Sequence, residues 1–133
     1  MASTRRSEET SHASSADREA IVRVALDYIG GWFDADQARM ERALHPDLSK
    51  RSVQADGAVR TLTREMMLGF TSEGGGRRED APDRRLEVEV NHIDGVLATA
   101  VVRCHLYVDY LQLVRTDAGW RILNVIWRRR QQG

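Results

Sequence analysis

One cysteine in 133 residues, Cys104, rules out an internal disulfide framework and a zinc site built on cysteines. Four scattered histidines with no HxH or HxxxH spacing give no metal site. The chain lacks an excess of either charge, since Lys+Arg and Asp+Glu each total 20. A nucleic-acid partner needs a basic face, so none is expected, and Arg128–Arg130 reads as a solvated strand end. No apolar run approaches the ~18–20 residues of a membrane span, and the residues before Ile21 are too polar for the apolar core of a secretion signal. A cytoplasmic domain without a membrane partner is the expectation. What is there suits one folded domain: 41% hydrophobic residues for a core and 30% charged residues for a solvated surface.

Residues 1–16 carry no large apolar residue besides Met1 and read as a disordered tail, leaving a single domain over 17–130. Ile21, Val24, Ala25, Tyr28 and Trp32 then recur at helical spacing, with Val22, Leu26, Ile29 and Phe33 as a second stripe. Such a helix is packed on two sides, and Gly30 and Gly31 within it suit a close backbone approach. Asp34 and Asp36 fit the start of a second helix, with Met40, Ala43 and Leu44 inward and Pro46 as its stop. Leu48–Gln54 and Ala58–Leu62 flank Asp56-Gly57 as a hairpin, and Thr63 caps a third helix over Arg64–Phe70. Thr71–Asp83, with three consecutive glycines, reads as a mobile loop. Alternation at Leu86, Val88 and Val90, then Val96–His105, Asp109–Arg115 and Trp120–Arg128, supplies four antiparallel strands. Three helices on one side of a curved, mainly antiparallel sheet make an α+β fold with a cone-shaped cavity.

This order, with YIGGWFDAD at 28–36, ALHPDLSKR at 43–51 and VDYLQLVRTDAGWRILNVIW at 108–127, resembles the nuclear transport factor 2-like superfamily over residues 17–129. It is most similar to the lumazine-binding-like branch. The resemblance implies a homodimer joined through the outer sheet faces, with one small-molecule pocket per subunit. Ketosteroid isomerases belong to the same superfamily. The resemblance to them implies a hydrogen-bonding pair for a substrate oxyanion, here Tyr28 on the first helix and Asp109 on a late strand. The aspartate base of those enzymes falls near Ser52, where this chain has no carboxylate.

Read from the residues, Asp109 shares a strand face with the core residues Leu111 and Leu113, where burial would favour its neutral acid. The plainer alternative is a hydrated strand-end aspartate. Tyr28 is a core ring whose hydroxyl either bonds to backbone or faces the cavity. Asn124, alternating with Ile122 and Ile126, is either a satisfied core amide or a ligand contact. His45 suits a helix C-terminus and is the one candidate general base. Trp32, Ser52, Leu111, Asn124 and Ile126 are thus expected to line the pocket, with Tyr28, Asp109 and His45 as candidate catalytic groups. Tyr110, Gln112, Val114, Leu123, Val125 and Trp127 are expected on the dimer face. No cofactor is expected. The functions that follow are a small-molecule pocket protein; an isomerase, dehydratase or cyclase that polarises an oxygen with Tyr28 and Asp109; or a dimeric scaffold.

Overall fold

In a computed structural model the structure describes residues 2–77 and 84–130, the side chains of 2–14 excepted. Helix α1 spans Ala2–Asp34, so helical backbone extends through the stretch read as a tail. Among the described side chains of α1, the buried ones begin at Ile21 and continue through Ala25, Tyr28, Ile29 and Phe33. Its lower half is tied to the sheet by Asp17, whose carboxylate accepts from Trp120 Nε1 at 2.9 Å. At its other end the chain turns sharply into α2, Gln37–Ala43, capped by Asp36 through the Arg39 N–H at 3.2 Å. The turn is tight enough to need a glycine. A Cβ at Gly31 would lie 3.1 Å from both Asp36 O and Met40 N.

Pro46 does not end α2. The helix stops at Ala43, and β1 runs Leu44–Val53 with Pro46 inside it. The residue before a proline favours extended backbone, and the ring has no N–H to give a ladder. Pairing of β1 is accordingly irregular between Leu44 and Ser49. Next come β2, Val59–Thr63, and α3, Arg64–Ser72, capped by Thr63 through the Met66 N–H at 3.2 Å. Strands β3 Glu87–Asp94, β4 Leu97–Arg103, β5 Tyr107–Thr116 and β6 Gly119–Arg129 complete the chain.

The six strands form one sheet in the order β2-β1-β6-β5-β4-β3. Every neighbouring pair is antiparallel except β1 and β6, which run parallel. Period-two alternation sends Leu48, Lys50 and Ser52 of β1, and Tyr107, Asp109, Leu111 and Leu113 of β5, to the helix-covered face. Strand β6 changes phase. Leu113 pairs with Ile122 but Gln112 pairs with Asn124, so Leu123 is an extra residue in a bulge. Trp120 and Ile122 face inward before it, and Val125 and Trp127 face inward after it. Asn124 and Ile126 therefore lie on the outer face.

Of the three glycines in the stretch read as a mobile loop, Gly76 is buried, Gly74 takes a positive φ with open space around it and Gly75 is exposed. Residues 73–76 form a turn closing α3, with Gly75 N–H donating to Phe70 O at 2.9 Å. Gly76 is buried against Trp32, where a Cβ would come within 2.5 Å of the indole and of Trp32 O. Gly76→Ala is therefore expected to cost about 1–3 kcal/mol by overpacking, read as a lower urea midpoint with a shifted Trp32 emission. The part of that loop at 78–83 lies outside the described residues. Among the described residues, no helix is long and apolar enough to cross a membrane.

Candidate functional site

Inside the cone, α1, β1, β5 and β6 bring three polar side chains into line. Tyr28 Oη donates to Asp109 Oδ2 at 2.5 Å, and Lys50 Nζ donates to Tyr28 Oη at 2.6 Å. All three are buried: Tyr28 is 1% exposed, Asp109 2% and Lys50 7%. Aromatic rings surround the amine, with Nζ 5.0 Å from the centroid of Tyr28, 5.1 Å from Trp127 and 5.9 Å from Trp32. Tyr107 closes the far side, edge-on to Trp127 at 5.2 Å. The cavity between these side chains measures about 30 Å³. That is room for one oxygen-sized group and not for a ring.

Burial governs the protons here. It pushes the Asp109 carboxyl above the usual carboxylate range, with the Lys50 charge and the Tyr28 hydrogen bond opposing. It pulls Lys50 below the ordinary lysine range, with the Asp109 charge opposing. Burial and then the Asp109 charge raise Tyr28 well above a free phenol, so its hydroxyl stays protonated. One hydrogen-bonded row thus has two arrangements of the same protons. Lys50 as ammonium donates to Tyr28, which donates to the Asp109 carboxylate; or Asp109 as acid donates to Tyr28, which donates to the Lys50 amine. Tyr28 is the relay between them, and no heavy atom moves.

The row leaves two polar atoms over. Among the described residues, Asp109 Oδ1 and Trp127 Nε1 are buried and meet no hydrogen-bond partner. Both belong to this pocket. A buried, unpaired N–H costs about 1–3 kcal/mol.

Of the residues singled out in the sequence, the structure brings Tyr28, Asp109 and Trp32 together here. Ser52 is one alternation beyond Lys50, buried, beside Trp127 in register, and accepting from Gln54 Nε2 at 2.9 Å. Leu111 is a core residue on the Asp109 face of β5. The others are elsewhere. Asn124 donates to Gln112 Oε1 at 3.1 Å on the outer face, and Ile126 is exposed there, because the Leu123 bulge reverses their phase. His45 follows the C-cap of α2, Leu44, as the second residue of β1, and its Nδ1 accepts from the Asp47 N–H at 3.0 Å. It lines a surface groove with Arg64 and Asp117, away from the buried row. Trp127 and Val125, read as dimer-face residues, point into the core. Two members of the site, Lys50 and Trp127, escaped the sequence reading. The signal for Lys50 was its two-residue spacing from the apolar Leu48. No local signal marked the bulge that turns Trp127 inward. Among the described residues, no cluster of three or more His, Cys, Asp or Glu could hold a metal ion.

Three helices roofing a curved six-stranded sheet, with a polar row buried in the cone between them, define the nuclear transport factor 2-like fold. Solved structures agree. An NTF2-like protein of unknown function from Silicibacter pomeroyi superposes with a TM-score of 0.72 at 15% identity, covering 88% of this chain and 98% of that one. An NTF2-like protein with a cystatin-like fold from Novosphingobium aromaticivorans gives 0.71 at 18% identity, covering 94% and 89%. A ketosteroid isomerase-like protein from Erwinia carotovora gives 0.60 at 10% identity, covering 86% and 96%. Within that fold the chain belongs to the family described as "Putative lumazine-binding", whose pattern matches residues 16–128. No curated protein matches it.

Proposed function

We propose that the chain binds a small molecule through an oxygen atom placed in the cavity between Tyr28, Lys50, Asp109 and Trp127. The observation that carries this is the pair of unpartnered buried atoms, Trp127 Nε1 and Asp109 Oδ1, beside a row that can supply or take a proton. A carbonyl or anionic oxygen there accepts from the indole N–H, and from Asp109 when that group is the acid. The free volume of about 30 Å³ admits the oxygen while the body of the ligand lies toward the mouth. The family description supports a small-molecule ligand.

The test uses 4-nitrophenol as an oxygen-headed probe. Its titration should move the Trp127 indole N–H resonance saturably, with half-saturation at or below ~1 mM. Asp109→Leu should abolish that shift. An unmoved Trp127 resonance at millimolar probe would sink the reading. A second reading makes the same groups an isomerase, dehydratase or cyclase site, with Tyr28 and Asp109 stabilising a developing oxyanion. Its support is the two-way proton row, which a binding site does not require. Turnover of a bound ketone, followed as solvent deuterium entering its α-carbon, separates the two.

The outer sheet face is the dimer surface in this reading, as a site for a second copy. Tyr110 is 51% exposed, Ile126 51% and Leu97 57%, and Gln112 and Asn124 lie among them. A water-facing sheet has no need of such residues.

A further inference from the structure

Lys50 is the sole lysine of the chain; the other nineteen of its twenty basic residues are arginine. Arginine stays charged and is a poor nucleophile, whereas a lysine taken out of water becomes a reactive amine. The one side chain able to do this is buried under three aromatic rings, 2.6 Å from a hydroxyl that connects it to a carboxyl. An exposed lysine would gain little from such surroundings, and a structural cation would be better served by a direct carboxylate partner. Here Tyr28 stands between the two.

Resting on the reading of this cavity as a ligand site, we propose that the Lys50 ε-amine captures a small aldehyde or ketone as an imine. The carbonyl oxygen occupies the place facing Trp127 Nε1, whose N–H has no other partner among the described residues. The Nζ lone pair forms the new C–N bond while the C=O π pair moves onto oxygen. Tyr28 protonates that oxygen and is reprotonated from Asp109, giving a carbinolamine. The C–O bond then breaks, and the oxygen leaves as water. Both hydrogens of that water come, in sum, from the amine: the Asp109–Tyr28 row takes them from nitrogen, passes them to oxygen and ends unchanged. No oxidant or reductant is needed, and the step reverses with water. The volume of about 30 Å³ takes the carbonyl oxygen, and the carbon substituents lie toward the open side of the cavity.

The experiment incubates the whole chain at neutral pH with acetaldehyde and sodium cyanoborohydride, which supplies hydride to fix any C=N bond as a secondary amine. Intact mass and peptide mapping then locate the ethyl group. The α-amino group is the only other primary amine and acts as an internal reference. Lys50 should be modified in the native chain, and Tyr28→Phe should slow that modification by about tenfold while leaving the α-amino adduct unchanged. Modification confined to the α-amino group, or reaching Lys50 only in urea, overturns the proposal. So does an unaltered Lys50 rate in a folded Tyr28→Phe chain. A saturable 4-nitrophenol shift at Trp127 with no Lys50 adduct removes the imine and leaves the ligand site standing; loss of both removes the site as well.

Discussion

Asp109→Leu will destabilise the fold by about 3–5 kcal/mol at neutral pH, and adding Lys50→Met will restore most of that loss. The single change strands Lys50 among Trp127, Trp32 and Tyr28 without its opposing charge, and takes away the acceptor of the Tyr28 hydroxyl. Lys50→Met alone costs less, because the Tyr28 hydroxyl keeps Asp109 as its acceptor. Urea unfolding of the two single variants and the double variant closes a cycle, in which additive effects would show that the two groups do not interact. The pH dependence carries signs that can be worked out. Asp109 is raised above 3.8, so the folded state holds a proton the unfolded chain has released. Its contribution to stability is undiminished below that value and falls as pH rises through the window up to its folded pKa. Lys50 is lowered below 10.5, so its penalty is absent above that value and grows as pH falls toward its folded pKa. Each group restrains the other. In Lys50→Met the Asp109 window therefore extends upward, and stability near neutrality falls with rising pH. In Asp109→Leu the Lys50 window extends downward, and stability there rises with pH. The two slopes are opposite in sign and at most about 1.4 kcal/mol per pH unit each.

Ile126→Arg will convert the proposed dimer into a monomer of 15.1 kDa by sedimentation at micromolar concentration. Ile126 is on β6, one of the two central strands of the sheet, paired with Tyr110 and half-exposed on the outer face. An arginine at the middle of an apolar contact loses hydration without gaining a partner, a cost of about 2–4 kcal/mol per copy for a central interface position. A Tyr110→Glu chain should behave the same way. Wild-type protein that sediments as a monomer at that concentration ends the dimer proposal. Arginine at Trp127 tests something different, since that ring points into the cone and its loss strikes the core.

The elements were legible where periodicity and caps agree. The stripes of α1, the Thr63 cap, the Asp56-Gly57 turn and the alternation of β3 each mark their own place through local physics. Tyr28 and Asp109 were legible by resemblance, at positions far apart in the chain. Lys50 was not, because nothing local distinguishes it from Arg51 beside it. Only the phase of β1, counted from Leu48, places the two on opposite faces. Asn124 and Trp127 were misplaced by the same cause as each other. Strict alternation from Ile122 predicts their facing, and one extra residue at Leu123 inverts it. A bulge is set by how neighbouring strands must curve, which no short stretch of sequence encodes.

The parallel pairing of β1 with β6 has a consequence for how the chain is made. Strand β6, at residues 119–129, is the last to emerge during synthesis, yet it stands between β1-β2 and β5-β4-β3. A nascent chain that ends before it holds two separate sheet fragments whose inner edges wait unpaired, and Lys50 and Asp109 stay in water on either side of the gap. Chains truncated before residue 119 should thus stay sensitive to protease, and resistance should appear abruptly when β6 is included, not in stages as the helices appear. Until then those open edges are the surfaces a chaperone would have to guard.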